Sequence, residues 1–299
     1  GLVCNSSTVI VNSFTISSNG TLSLPDASGS CTITGSKSGW SLQNNSQNLS
    51  HNNGTVTQTG NGHHKSVFTN PLYNFVVNMV HLSHQSTFRA AGVGGLSLTE
   101  VKVAANEVTV TRGTLQFNTS TDNAEMGSLE IASEGTYLAT SGTTTITNKS
   151  SSNYMFFDLG TFTHNNGTVH FKADTSSGTW YAVKGHSTED TTEFYNFTTE
   201  RVGSSVGNYR VCVGGSNQFL TVRNNLTVGA NCKIFSGNGS SILRQSGLAT
   251  LNGELDLDNF TDIEMGAVTI NSGGTLEFDN GSITLKAESF RNVGGTINA

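Results

Sequence analysis

The sequence predicts an all-β protein whose chain winds as a parallel, right-handed β-helix with coils of about 20–25 residues. Three observations support this prediction. Apolar and polar residues alternate with a period of two, turn residues recur about once per coil, and several long motifs occur twice. Alternation with a period of two is typical of strands that bury one face. We find no window with the 3.6-residue period and the caps of an amphipathic helix.

Strand-like alternation is distributed along the whole chain. The alternating segments lie at residues 8–16, 22–24, 101–110, 115–117, 143–147, 253–258 and 283–285. Only 2 of the 299 residues are proline, so long ladders of backbone hydrogen bonds remain possible. The 34 glycines supply turn residues for many short strands.

Internal repeats divide the chain. The segment LSHNNGTV at 49–56 recurs as FTHNNGTV at 162–169, and a weaker copy begins at Phe290. The intervening motifs keep their order in both copies: LYNF with FYNF, then TDNAEMG with TDIEMG. We therefore predict a head at 1–48, a first super-repeat at 49–161 and a second super-repeat at 162–299 that ends in the strand of a third copy.

A shorter Gly-Thr-apolar step marks the predicted coil corners. Glycine accepts the positive φ of a tight corner, after which threonine and an apolar residue begin a strand. The step occurs at Gly20, Gly54, Gly113, Gly135, Gly160, Gly167, Gly178, Gly274 and Gly295. Asn-Gly pairs accompany it, and Asn-Gly also forms hairpin turns, so antiparallel β-sandwiches are the alternative fold.

The spacing of the cysteines predicts disulfides, and disulfides would indicate where in the cell the protein resides. Cys4 and Cys31 are separated by about one coil, as are Cys212 and Cys232, so stacking predicts two disulfides. Buried free thiols are the alternative. Disulfides would indicate an extracytoplasmic protein. Asn-x-Ser/Thr sequons fit this location, and the candidate glycosylation sites include Asn5, Asn19, Asn118, Asn166, Asn196, Asn225 and Asn280.

Charge and hydropathy argue against nucleic acid and the lipid bilayer as partners. The net charge is -6 and the 15 Lys and Arg residues are scattered singly, whereas nucleic-acid binding requires a basic stripe. The apolar run at 73–82 is far shorter than the roughly 20 residues of a transmembrane helix. We expect no nucleic acid, no transmembrane segment and no cofactor.

Candidate chemistry is sparse. Alternation places Glu254, Asp256 and Asp258 together on an outer face, where they are a weak candidate for a Ca²⁺ site or an acid–base pair, and otherwise a solvated surface. Trp180 and Tyr181 are candidates for stacking on sugar rings, with core packing as the alternative. We find no catalytic residue set and no converging histidines for a metal, so we do not expect an enzyme.

One stretch carries a resemblance. GTFTHNNGTVHF at 160–171, followed by FYNF at 194–197, resembles a repeat of secreted and viral β-helix proteins, which in architecture are similar to autotransporter passenger domains and pectate-lyase-like folds. The resemblance covers most of residues 49–299. It implies a fold and a class of surface proteins, adhesins, fibres and phage structural proteins, but no catalytic residues.

The ends of a β-helix suggest a function. Each end carries a strand edge that needs a partner, and residues 294–299 contain neither proline nor charge, so we expect an uncapped last strand. The segment 8–16 is a candidate for a donated strand. We expect an extracellular structural protein of a cell or virion surface whose copies join head to tail in a fibre or coat. The alternatives are a glycan-binding adhesin or viral tail or fibre component, and a polysaccharide lyase or hydrolase.

Overall fold

The protein is all-β, and its parallel strands stack as a β-solenoid of about nine turns. The computed structural model describes residues 1–17, 19–35, 40–44, 48–60, 62–66, 72–81, 85–89, 100–117, 123–147, 154–173, 180–185, 192–203, 209–214, 218–237, 241–278 and 284–299. These residues contain thirty strands and no helix.

The strands follow one another through short corners. The strands β1–β10 are Leu2–Val3, Thr8–Val11, Phe14–Ile16, Leu22–Ser23, Ser30–Ile33, Trp40–Asn44, Leu49–Ser50, Thr55–Gln58, Gly62–Ser66 and Leu72–Asn78. The strands β11–β20 are Gln85–Arg89, Glu100–Phe117, Asn123–Leu138, Thr143–Ile146, Tyr154–Asp158, Thr161–Thr163, Thr168–Ala173, Trp180–Lys184, Glu193–Phe194 and Asn196–Arg201. The strands β21–β30 are Tyr209–Val213, Phe219–Val222, Leu226–Val228, Cys232–Ser236, Ser241–Leu251, Glu254–Asp256, Phe260–Asn271, Thr275–Glu277, Leu285–Val293 and Thr296–Asn298.

Strand pairing confirms the predicted parallel β-helix. Each strand pairs in parallel with strands that lie about one coil away in sequence, as β2 does with β5 and β5 with β8. Antiparallel contacts among the described residues are limited to two isolated bridges, Asp26 with Asn53 and Asn271 with Gly294. The alternative of antiparallel β-sandwiches is therefore wrong.

The chain forms two compact units. The first comprises Gly1–Thr144 with Leu159–Asn165, and the second comprises Thr145–Asp158 with Asn166–Ala299. The boundaries of the predicted head and super-repeats stay a prediction.

Apolar ladders fill the first unit. Inward-facing residues of successive coils lie at matching positions, so each side chain packs against the one above and below it, about 4.8 Å away along the stack. One such ladder runs through Val9, Cys31, Val56, Phe75, Val108 and Leu129. Most of its members are fully buried.

Three sheets line the second unit. The first, called here the charged sheet, comprises β15, β18, β21, β24, β26, β28 and β30. The second comprises β19 and β22 with the first halves of β25, β27 and β29. The third comprises β17, β20 and β23 with the second halves of the same three strands.

Asn-Asn-Gly corners repeat in backbone conformation as well as in sequence. Asn52 and Asn53 have φ values of 47° and 61°, and Asn165 and Asn166 have 46° and 60°. Asparagine tolerates this left-handed region better than most residues. The imidazole Nδ1 of His51 accepts a hydrogen bond from the Asn53 backbone amide at 3.0 Å, so this histidine stabilises the corner.

The first asparagine of each corner also fastens it to the coil before. The Asn52 amide donates to the Leu24 carbonyl at 2.8 Å, and the Asn165 amide donates to the Ala139 carbonyl at 2.6 Å. The LSHNNGTV and FTHNNGTV segments are therefore structural repeats that share this contact with the preceding coil.

Amide ladders join the coils at another corner. Asn74 donates to the Thr55 hydroxyl at 3.2 Å and accepts a hydrogen bond from Asn106 at 2.8 Å. The same arrangement recurs in the second unit with Thr168, Asn196 and Asn224. Ladders of this kind satisfy polar groups while coils stack in register.

The glycines of the Gly-Thr step do not have the positive φ values that the sequence predicted, with one exception. Among the described members of that step only Gly113 has a positive φ, of 85°. Most of the others are required mainly because the preceding coil approaches too closely for a side chain, and these are Gly54, Gly135, Gly160, Gly274 and Gly295. A Cβ on Gly54 would lie 2.1 Å from the Pro25 carbonyl oxygen, and a Cβ on Gly135 would lie 2.0 Å from that of Val110. Gly178 lies outside the described residues.

The predicted disulfides are wrong: Cys4, Cys31, Cys212 and Cys232 are buried free thiols. Cys232 pairs in register with Tyr209, and Cys212 pairs with Phe235. The two cysteines are thus offset by three positions along the strands, roughly 10 Å, which exceeds the Cα separation that a disulfide spans.

The other pair lies in different sheets. Cys4 follows β1 and donates its amide to the Ser23 carbonyl, whereas Cys31 faces Val9 in β2. Burial, with a smaller contribution from Cys4, raises the pKa of the Cys31 thiol to about 12. A thiol of this kind is unreactive in the folded protein.

Candidate functional site

The charged sheet of the second unit carries the main cluster of ionisable groups. Its strands alternate, so that Ile234, Leu255 and Leu276 point inward and are buried. Residues on either side of these point outward. This alternation confirms the predicted outward placement of Glu254 and Asp256.

Register brings one lysine and three carboxyl groups together. Lys233 lies beside Glu254, and Asp256 lies beside Glu277, on three consecutive coils. The Lys233 ammonium contacts Glu254 at 2.5 Å, Asp256 at 2.6 Å and Glu277 at 3.8 Å. All four side chains are less than one quarter exposed. We call these four residues the Lys233 cluster.

Protonation within the cluster is unusual. A hydrogen bond with Glu254, followed by burial and the charge of Glu254, raises the pKa of Glu277 to about 7. Burial opposes the charged form of Lys233, but the hydrogen bonds with Asp256 and Glu254 and the negative charges of both residues together outweigh it and raise the pKa of that ammonium. Glu277 is therefore about half protonated near neutral pH and mainly protonated at lower pH.

The candidate Ca²⁺ site coincides with this cluster in part. Glu254, Asp256 and Glu277 bring carboxylate oxygens within 4.8 Å of one another, and the described residues contain no other such group of three. Asp258 instead donates its backbone amide to Asp256 at 3.0 Å. Lys233 already supplies a cation to the same oxygens. The Ca²⁺ site stays a prediction.

Sequence reasoning missed both Lys233 and Glu277. Two other basic residues near the acidic strand, Arg244 and Lys286, pair instead with Glu264 in the second sheet, at 3.7 Å and 3.0 Å. The signal was present: Lys233, Glu254 and Thr275 are evenly spaced at 21 residues, which is one coil.

Aromatic and basic residues continue the charged sheet on its other side. The Arg210 guanidinium lies 5.1 Å from the centre of the Phe235 ring. Register places Trp180 beside Arg210, and Arg210 beside Lys233. The side chains of Trp180 and Tyr181, the predicted sugar-stacking residues, lie outside the described part of the structure.

The candidate glycosylation sites differ in accessibility. Asn5, Asn19, Asn166 and Asn225 are exposed. Asn196 is half-buried, and its amide donates to Thr168 at 3.3 Å, so a glycan there would replace that contact. Asn118 and Asn280 lie outside the described residues.

The strands β29 and β30 form a second candidate site. Phe290 lies in register with the buried Val268, and Ile297 lies in register with the buried Leu276. Both therefore occupy inward positions of the apolar ladders, yet Phe290 is 45% exposed and Ile297 is 42% exposed. An apolar ladder that meets solvent is a surface suited to a further coil.

None of the described segments forms a helix able to cross a membrane. Comparison with known proteins finds no matching family model, no matching curated protein and no matching solved structure.

Proposed function

We propose that the protein is an extracellular structural subunit of a cell or virion surface, whose copies join by stacking coil upon coil into a fibre or coat. The exposed apolar ladder on β29 and β30 is the observation that carries this proposal. Parallel strands that pair on one side only are templates for further strands.

The first unit offers the complementary edge. In β2, Val9 lies in register with Cys31 and Val11 lies in register with Ile33, so both occupy inward positions. Within the described residues β2 pairs only with β5. A second copy that places these valines over Ile297 of β30 continues the same sheet, and two edges of different sequence joined in this way build an open polymer.

Matched lysine substitutions test this contact. We expect Phe290→Lys and Ile297→Lys each to weaken self-association about tenfold or more, because a charge replaces an apolar side chain inside the proposed junction. Val293→Lys is the control, since Val293 is 44% exposed in the same strand but occupies an outward position beside Asn271. Sedimentation over a range of protein concentrations measures the association.

The opposite edge has its own control. We expect Val9→Lys to weaken association and Ile10→Lys to leave it unchanged, because Ile10 is 68% exposed and faces outward between the two inward valines. A wild-type protein that stays monomeric at every concentration contradicts the proposal. Equal effects of the inward and outward substitutions contradict it as well.

Glycan binding on the charged sheet is the second candidate function. It is favoured by the register that aligns Trp180, Arg210, Lys233 and Glu254 on four successive strands. Protein sites for sugars combine an aromatic face with charged and amide hydrogen-bonding groups. Such a surface would let a structural subunit also act as an adhesin.

A glycan array tests this second function. We expect Trp180→Ala to abolish binding to any glycan that the wild-type protein retains, and Trp40→Ala, which changes the other tryptophan of the chain, to leave binding intact. Absence of wild-type binding, or equal loss in both variants, rules out this role for the charged sheet.

A further inference from the structure

A bulge in β15 places two aromatic rings side by side on the outer face of the charged sheet. The register between β15 and β18 shifts after Tyr154, so that Tyr154 lies beside Ala182 and Phe157 lies beside Lys184. The one extra residue of β15 in this stretch lets two side chains that are three positions apart share a face. The two ring centres lie 4.9 Å apart with an angle of 18° between the planes, so the rings form a stacked pair.

The Lys184 ammonium lies over this aromatic pair. Its nitrogen is 5.2 Å from the centre of the Phe157 ring and 5.9 Å from that of Tyr154. Within the described residues no carboxylate oxygen lies within 4 Å of this nitrogen. By contrast, every other lysine whose side chain the structure describes has a glutamate within that distance, and these are Lys102, Lys172, Lys233 and Lys286. The positive charge of Lys184 is therefore not neutralised by an acidic group of the described chain.

Arg210, on the next strand of the sheet, repeats this arrangement. Its guanidinium lies 5.1 Å from the centre of the Phe235 ring, and in the described structure it too has no carboxylate oxygen within 4 Å. An aromatic ring attracts a cation through its quadrupole but carries no net charge, so both cations keep their full charge. We call Tyr154, Phe157, Lys184, Arg210 and Phe235 the cation–aromatic patch.

The acidic residues of the charged sheet lie beyond Lys233 as seen from this patch. Lys233 lies beside Arg210 and already contacts Glu254 and Asp256. The sheet thus carries cations without described acidic partners on β18 and β21, and its carboxyl groups on β26 and β28. Because the chain has a net charge of -6, the attraction of an anionic ligand has to come from a local surface of this kind.

The two cations of the patch are separated along the strands as well as across them. Lys184 follows Val183, which pairs with Val213, whereas Arg210 pairs with Trp180. Four positions along a strand and one spacing between strands place the Cα atoms of Lys184 and Arg210 about 14 Å apart. A single sugar cannot reach both cations, whereas an oligosaccharide can.

We propose that the cation–aromatic patch binds an oligosaccharide that carries anionic groups, either carboxylates or sulfates. Lys184 and Arg210 bind two of these groups, since guanidinium and ammonium donors form charge-assisted hydrogen bonds with oxyanions. The half-buried rings hold the cations in place and supply apolar surface for the sugars. This inference rests on the second candidate function, glycan binding by the charged sheet, and gives that function a class of ligand.

Dextrans of one length test the class of ligand, because one backbone can carry carboxymethyl groups, sulfate groups or no charge. In calorimetry at a fixed pH we expect the wild-type protein to bind carboxymethyl-dextran or dextran sulfate about tenfold more tightly than neutral dextran. The affinity should fall as sodium chloride is added, since salt screens exposed charges. The anionic dextran that binds more tightly identifies the preferred group. Polyglutamate, which has the charge but no sugar, should bind more weakly.

Charge-removing variants locate the binding surface. We expect Lys184→Gln and Arg210→Gln each to weaken binding of the anionic dextran about tenfold, because each removes a charged hydrogen-bond donor. Lys286→Gln is the matched control, since the Lys286 side chain is 65% exposed and pairs with Glu264 in the second sheet. Lys184→Arg keeps the charge and should retain most of the affinity. Circular dichroism checks folding, and if one Gln variant does not fold, the other carries the test.

The inference is overturned if the wild-type protein binds neither anionic dextran, or binds neutral dextran or polyglutamate equally well. It is also overturned if Lys286→Gln weakens binding as much as Lys184→Gln and Arg210→Gln do. The second candidate function fails by a different result, namely that no glycan of the array requires Trp180. A protein that binds a neutral glycan through Trp180 and ignores both anionic dextrans would keep that function and lose this inference.

Discussion

Replacement of Gly274 by alanine is expected to destabilise the protein by about 3 kcal/mol. An added Cβ would lie 2.2 Å from the carbonyl oxygen of Leu251, in the preceding coil. The backbone cannot easily withdraw, because the Gly274 amide donates to Asn271 and its carbonyl accepts from Thr296. The glycine is therefore required by the spacing between coils.

The neighbouring glycine is the matched control. Gly273 has a φ of 85°, and a Cβ placed on it meets nothing within 4 Å. Gly273→Ala therefore costs only the strain of the left-handed conformation, about 1–2 kcal/mol. Urea unfolding of both variants measures the difference. If Gly273→Ala is the more damaging substitution, then φ rather than coil spacing explains the glycines of this corner.

Phe197→Ala is expected to cost about 3–5 kcal/mol. The Phe197 ring is fully buried and lies 4.9 Å from the centre of the Phe171 ring and 5.1 Å from that of Phe194. Its removal leaves a cavity within an apolar ladder, and the rigid stacking of coils restricts collapse around that cavity. Thermal unfolding followed by circular dichroism measures the loss.

The control for this substitution occupies the same ladder. Phe290 lies at the equivalent inward position but is 45% exposed, so Phe290→Ala should change the unfolding of the monomer by less than about 1 kcal/mol. Similar losses for Phe197→Ala and Phe290→Ala would show that the described burial of the ladder is incorrect.

The fold was predictable because the sequence repeats its corners. Residues such as Asn52 and Asn165 recur in the same motif and make the same hydrogen bonds to the preceding coil. Alternation then determines which residues face inward. These two local signals are sufficient to predict parallel coils, since each coil repeats the corners and the inward apolar positions of its neighbours.

Register was less predictable, since corners between strands vary in length. Cys212 and Cys232 are separated by about one coil in sequence, yet they lie three positions apart along the strands. A separation in sequence gives the coil length but not the register. The predicted disulfide between Cys212 and Cys232 failed for this reason, and that between Cys4 and Cys31 failed because the two residues belong to different sheets. The argument from disulfides to an extracytoplasmic location fails with them.

The candidate site was predictable only in its acidic half. The alternation within a single strand was enough to predict that Glu254 and Asp256 lie on the outer face. Lys233 and Glu277 belong to the coils before and after, so their approach depends on a regular 21-residue spacing across three coils. The raised pKa of Glu277 follows from the Glu254 carboxyl group beside it and from burial, and no single-strand pattern contains that information.

Electron microscopy of the purified chain tests the proposed coil-on-coil assembly most directly. We predict filaments whose length increases with protein concentration and whose strands follow one another along the filament axis at a spacing of about 4.8 Å, without interruption between subunits. Discrete particles of one size at every concentration would contradict the account.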